Sequence, residues 1–211
     1  MYFLGIDVGS SSVKVALVEV ESGKNHAIVQ VPEEEMPMHS VHKGWAEQDP
    51  EAWWHLVCEG IAKLKTGTAV SSDQIRGIGI SYQMHGLVVV DENGMPLRPS
   101  IIWCDSRAVE IGKQAYADLG PDYCDTHLLN APGNFTASKL KWLQLHEPGV
   151  YARIHKMMLP GDYIAYRLSG AINTTISGLS EGILWDFKNE RVSRELLMHY
   201  AMDPGMIPDL V

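Results

Sequence analysis

The chain has 211 residues, 17 Lys and Arg against 26 Asp and Glu for a formal charge of -9, and 45% hydrophobic residues. This composition excludes an intrinsically disordered chain, and the length suits one large domain with a sizeable core. An acidic balance argues against a nucleic-acid partner, because phosphate neutralisation needs a basic face.

No apolar run approaches the ~20 residues that a membrane helix needs. Asp7 also interrupts the N-terminal apolar stretch where a signal peptide would have to continue. The expectation is a soluble, cytoplasmic protein with no membrane partner. Cys58, Cys104 and Cys124 form no C-x-x-C pair, which suits a reducing compartment and argues against structural zinc.

In chain order, Tyr2 to Val8 and Val13 to Val18 read as strands joined by Gly9-Ser10-Ser11-Ser12. A third strand follows at Ala27 to Val31, so the start is an antiparallel meander. After a polar loop from Pro32 to Gln48, Asp49 can cap a helix with Pro50 at its first position. Trp53, Val57, Ile61 and Leu64 fall on one face, which should cover a sheet. Strands are predicted at Ile75 to Ser81 and Leu87 to Val90, with the tight stretch Tyr82-Gln83-Met84-His85-Gly86 between them.

The run Ser100 to Trp103 ends at Cys104-Asp105-Ser106, read as the cap of a helix reaching Leu119. From Thr136 the pattern is mostly helical, restarting at Pro160-Gly161-Asp162. Short strands are expected near Asn173 to Ile176 and Ile183 to Phe187, and a last helix from Ser193 to Ala201. The class is α/β, with a mixed sheet that opens as an antiparallel meander flanked by helices.

The most informative piece is Gly5-Ile6-Asp7-Val8-Gly9-Ser10-Ser11-Ser12-Val13-Lys14. A turn of Gly and Ser exposes backbone N–H groups that can hold a phosphate. Asp7 would repel that phosphate unless Mg2+ lay between them, as Mg2+ is held by one or two carboxylates, waters and phosphate oxygens. An ordinary serine-rich hairpin with no ligand explains the same residues, since Asp, Gly and Ser favour turns for local reasons. Neither a G-x-x-x-x-G-K-[ST] loop nor a G-x-G-x-x-G turn between strand and helix is present. His39 and His42 are spaced like ligands but lack Cys or acidic partners at metal spacing.

The segment Asp7 to Lys14 resembles the first phosphate motif of the actin-like ATPase superfamily. Further segments narrow the resemblance: Trp45-Ala46-Glu47-Gln48-Asp49-Pro50-Glu51-Ala52-Trp53-Trp54, Gln83-Met84-His85-Gly86, Arg98-Pro99-Ser100-Ile101-Ile102-Trp103-Cys104-Asp105-Ser106-Arg107, Phe135-Thr136-Ala137-Ser138-Lys139-Leu140-Lys141-Trp142 and Leu159-Pro160-Gly161-Asp162-Tyr163. In this order, over essentially the whole of residues 1–211, they are similar to the N-terminal domain of the FGGY carbohydrate kinase family in its xylulokinase version. The resemblance implies an RNase H-like fold in each of two lobes. It also implies ATP- and Mg2+-dependent phosphorylation of a ketose such as D-xylulose to its 5-phosphate in the cleft between those lobes.

Carried over by position, Asp7 matches the metal-linked aspartate, which the resemblance makes both catalytic and metal-holding. Gly9, Ser10, Ser11, Ser12 and Lys14 match the phosphate-contacting turn. Met84 and His85 match the sugar-contacting pair, and Trp103 and Asp105 lie where the family builds another wall of the sugar pocket. On the residues alone, the favoured readings are an ordinary turn histidine for His85, a helix cap for Asp105, and packing residues for Trp45, Trp53, Trp54 and Trp103.

Departures from the family pattern fall at Asn134 and Leu145 around Lys139, and at Thr175 and Gly178, where xylulokinases commonly carry polar acceptors. These leave another ketose or a polyol open as substrate. The family's glycine-flanked catalytic aspartate and adenine-binding lobe have no counterpart here, as Asp203 and Asp209 lack the glycines. The chain is therefore expected to be an N-lobe, inactive alone and partnered by a C-terminal lobe, with exposed apolar surface that leaves weak self-association, such as a homodimer, open. A non-catalytic sugar-binding or interaction module is the alternative of another class. An actin-like or chaperone-type ATPase gives no role to Met84-His85-Gly86 or Trp103-Cys104-Asp105.

Overall fold

The computed structural model describes residues 1–211. In chain order the elements are β1 (Tyr2–Val8), β2 (Val13–Glu19), β3 (Asn25–Val31), β4 (Glu47–Gln48), α1 (Pro50–Gly67), β5 (Ile75–Tyr82), β6 (Val88–Val90) and β7 (Ser100–Ile101). They continue as α2 (Val109–Leu119), α3 (Pro121–Tyr123), α4 (Thr136–His146), α5 (Pro148–Tyr151), β8 (Lys156–Met158), α6 (Pro160–Ser169), β9 (Asn173–Thr174) and α7 (Ile176–Glu181), and end with β10 (Trp185–Asp186), β11 (Arg191–Val192), α8 (Arg194–Tyr200) and β12 (Asp209–Leu210). The chain divides into two compact units, residues 1–37 with 49–83, and residues 38–48 with 84–211.

The first unit is built on one four-stranded sheet in the order β3-β2-β1-β5. The β1–β2 and β2–β3 pairs are antiparallel and β1–β5 is parallel, which makes the sheet mixed. Strand alternation sends Leu4, Ile6, Val8, Val13, Val15 and Leu17 to one buried face. Helix α1 packs on that side of β2 and β3, burying Trp53, Val57 and Leu64, each worth about 2 kcal/mol of apolar burial. Asp49 caps it as the spacing predicts, accepting from the Glu51 N–H at 3.0 Å. A Cβ at Gly60 would lie 2.7 Å from Val15 Cγ2, so glycine is what lets α1 approach β2 so closely.

The second unit has a core of Leu87, Ile101, Leu140, Leu143, Met157 and Leu196 among others, filled from α4, α8 and the small β6–β8 and β4–β7 ladders. Two readings change here. Helix α2 starts at Val109 with Ala108 at its cap, so Asp105 caps nothing in it; its carboxylate is engaged elsewhere, as described below. Between the two short strands expected at 173–187, Thr175 accepts from Gly178 N–H at 3.0 Å and starts helix α7. Ser193 caps α8 through the Leu196 N–H at 3.1 Å. No helix is long and apolar enough to cross a membrane.

Candidate functional site

In the first unit the β1–β2 turn is closed by a hydrogen bond from Gly9 N–H to the Ser12 carbonyl at 3.0 Å. The Met36 N–H reaches the Ser11 carbonyl at 2.8 Å and fixes the outside of the same turn. A Cβ on Gly9 would sit 3.0 Å from the Ser12 oxygen, so a side chain there would crowd the closure. Asp7 and Lys14 are directly paired across the ladder, and Lys14 Nζ lies 3.8 Å from Asp7 Oδ2 with both side chains about half exposed. In that setting the pair adds at most about 1 kcal/mol and leaves the carboxylate available to a ligand. The sheet beside it is floored by Gly5, Ala16 and Gly79, which leaves a shallow cavity of about 420 Å³ against Asp7, Lys14 and Ser81.

In the second unit, Met84 and His85 line a cavity of about 260 Å³, close to the low end of the roughly 300–1,000 Å³ of small-molecule pockets. Phe135, at the start of α4, and Glu181, at the end of α7, stand with them. Three non-glycine residues of this wall, His85, Leu129 and Ile183, have φ of 59°, 57° and 60°. Left-handed backbone costs such residues about 1 kcal/mol or more each, so surrounding contacts must hold them.

For His85 those contacts are visible. Its Nδ1 lies 3.0 Å from the Glu181 carbonyl oxygen, and its ring meets Phe135 edge-on at 4.2 Å. Lys139 Nζ donates to the His85 carbonyl at 2.6 Å, and Thr136 Oγ1 donates to the Gly86 carbonyl at 3.3 Å. A Cβ on Gly86 would lie 2.5 Å from Pro160 Cγ, so the turn is wedged between α4 and α6. Lys139 is fully buried, and desolvation lowers its pKa to about 8, with the negative charge of Asp105 opposing the shift.

Asp105 faces inward rather than into the cavity. It is fully buried, accepts from the Ala46 N–H at 2.6 Å, and grips the Arg107 guanidinium through Nε at 2.9 Å and Nη2 at 2.7 Å. Arg107 in turn is 2.7 Å from Glu47 and lies over the Trp45 ring at 3.8 Å and the Trp142 ring at 4.9 Å. Trp103 is the opposite case: half exposed, where packing was its plain reading, and outside the residues that line the cavity. Asn134, one of the departures noted in the sequence, donates through Nδ2 to the carbonyls of Trp103 and Asp105 and so ties down the loop between them.

The structure thus brings Met84 and His85 together with Phe135 and Glu181, and sets Trp103 and Asp105 apart from them. Phe135 sits inside a motif already quoted, whereas nothing local distinguishes Glu181 or Leu129 in the sequence. Asp162 of the Leu159-Pro160-Gly161-Asp162-Tyr163 motif is a second buried ionisable group. Burial pushes its pKa up to about 6, although it accepts from Leu159 N–H at 3.2 Å and Thr174 Oγ1 at 3.0 Å.

A mixed sheet opening with a β-hairpin, its glycine-serine turn next to a strand-end aspartate, is the architecture of the actin-like ATPases, and solved sugar kinases share it over the whole chain. One is the xylulose kinase of Rhodospirillum rubrum, with a TM-score of 0.88, 28% identity, and coverage of 100% of this chain and 43% of that one. Another is the gluconate kinase of Lactobacillus acidophilus, with a TM-score of 0.88, 25% identity, and coverage of 100% and 42%. The chain belongs to the FGGY family of carbohydrate kinases, whose N-terminal domain it matches over residues 2–211. Among curated relatives, the xylulose kinase of Staphylococcus xylosus is 34% identical over 100% of this chain. The chain spans 42% of that relative's length.

Proposed function

We propose that this chain is the sugar-holding N-terminal part of an ATP- and Mg2+-dependent kinase acting on a ketose such as D-xylulose, with the phosphoryl group delivered to its 5-hydroxyl. The observation that carries this reading is the pocket at Met84, His85 and Phe135, in a chain similar over its full length to xylulose kinases. His85 presents a hydrogen-bonding ring and Met84 an apolar surface, which suits a ligand with hydroxyls on one face and C–H groups on another. Trp103 stands exposed outside that cavity, so a contact to the sugar would need a ligand reaching beyond it, and Asp105 works at one remove by fixing Arg107 and the chain at Ala46.

The residues at the β1–β2 turn fit a phosphate and Mg2+. Asp7 offers one half-exposed carboxylate, Gly9 keeps the turn free of side-chain bulk, and Lys14 brings a cation within 3.8 Å of Asp7. Mg2+ held by one carboxylate, waters and phosphate oxygens would neutralise phosphate charge there. Ser10, Ser11 and Ser12 would supply backbone N–H and hydroxyl donors, and Asp7 would orient the cation's water shell. The nucleotide clamp and the base come from a C-terminal lobe, so the chain alone is expected to bind sugar without turning it over. A need for ATP suits a cytoplasmic protein.

The test is a titration of the chain with D-xylulose, D-ribulose and glycerol, read by thermal shift and by NMR. Stabilisation by a ketose at millimolar concentration, lost in His85→Ala, supports the reading. No response to any of the three would refute it, and sugar-dependent ATP turnover by the chain alone would overturn the assignment of the base to another lobe.

A further inference from the structure

We propose that Glu181 selects neutral sugars and rejects sugar acids in this pocket, and that it fixes the hydrogen-bonding sense of His85. The inference rests on the reading of the His85 pocket as a sugar site and goes beyond it by naming the residue that sets its charge preference.

Two facts about Glu181 act together. Its backbone carbonyl lies 3.0 Å from His85 Nδ1, and a carbonyl oxygen can only accept. Nδ1 therefore carries a proton, and whenever the ring holds only that one, Nε2 is an acceptor. His85 then receives a hydrogen from a substrate hydroxyl.

The side chain adds the second fact. Glu181 Oε2 is 3.5 Å from the same Nδ1, accepts no hydrogen bond and is shielded from solvent, while the side chain as a whole is 36% exposed in the cavity wall. No lysine or arginine lines that cavity. Lys139 does not line the cavity and donates to the His85 carbonyl.

Beside the uncharged Asn130 and Ser180, the wall thus offers His85 Nε2 and the Glu181 carboxylate as acceptors, with no lysine or arginine to receive an anion. Hydroxyl groups of a ketose or polyol supply the donors it needs. A carboxylate on the ligand meets a like charge in a partly desolvated site, where repulsion is weakly screened.

The experiment titrates the chain, labelled with 15N at histidine, with D-xylulose and D-gluconate, in wild type, Glu181→Gln and Glu181→Asp. Wild type should show Nδ1 protonated and Nε2 shifting as D-xylulose binds, with D-gluconate at least about tenfold weaker. Glu181→Gln should collapse that preference to about threefold or less, while Glu181→Asp should retain it because the charge is kept. Equal binding of the two ligands by wild type, or a preference unchanged in Glu181→Gln, overturns the role of Glu181 while leaving the sugar site standing. A His85 ring that responds to neither ligand defeats the sugar-site reading itself, and the inference falls with it.

Discussion

Replacing Lys139 by Met tests whether a buried charge holds the His85 turn. In the folded chain burial brings the Lys139 pKa from 10.5 down to about 8. A basic group with a lowered folded value weakens the fold while it stays charged, and the loss is recovered as pH rises from about 8 towards 10.5. With those two values the charge costs roughly 3 kcal/mol at pH 7 and roughly 1 kcal/mol at pH 9.5. Methionine removes that cost but leaves the His85 carbonyl without its donor, a loss of about 1–3 kcal/mol.

The stability of wild type relative to the methionine variant should therefore rise by about 2 kcal/mol between pH 7 and pH 9.5, whatever the size of the donor loss, which is common to both pH values. Tyr123 and Tyr200, both pushed up to about 12 by burial, and Cys124, pushed up to about 11, titrate in both proteins and cancel in the difference. Cys104 interacts with Lys139 directly, so the comparison belongs in a Cys104→Ser background. Urea unfolding followed by tryptophan fluorescence at pH 7, 8, 9 and 9.5 reads the difference. A stability gap that does not change with pH would refute the argument that Lys139 is held charged at a desolvation cost.

Asp162 should behave in the opposite sense: its folded pKa of about 6 lies above the ordinary 3.8, so stability falls as pH rises through that window, by about 3 kcal/mol at full extent. The Asp162→Asn variant should lack this slope in unfolding curves taken between pH 4 and 7. Gly60→Val should destabilise the first unit by about 1–3 kcal/mol, since its Cβ would press on Val15, and a calorimetric scan checks it. Asp105→Ala leaves the buried Arg107 guanidinium with Glu47 as its carboxylate partner and the Ala46 N–H without its acceptor, and should cost about 3 kcal/mol. Asp105→Asn, which keeps an acceptor for the Ala46 N–H, should cost less.

The first unit was legible because its determinants are local. Alternation of β-branched residues dictates β1 and β2, and the Asp49-Pro50 start of α1 satisfies orphan N–H groups with residues adjacent in sequence. The second unit was less so. Cys104-Asp105-Ser106 has the chemistry of a helix cap, but Asp105 spends its carboxylate on Arg107 and on Ala46, 59 residues away. A buried ion pair of that kind outbids a cap worth about 1 kcal/mol, and only the folded chain shows the competition. Helix α7 escaped notice because Ser177 and Gly178 are poor helix formers, while its cap, Thr175, also suits a strand.

The residues of the pocket differ in how locally the sequence encodes them. Met84 and His85 lie on the turn between β5 and β6, where strand periodicity stops and an exposed side chain stands out. Phe135, Glu181 and Leu129 come from separate segments, and they meet only because the strained turn at His85 is held by Lys139 from α4 and by the last residue of α7. Three left-handed residues in one wall would relax in an isolated peptide. Here Lys139, Thr136 and the Glu181 carbonyl fix the His85 turn, so the cavity's shape depends on tertiary contacts that no single motif contains.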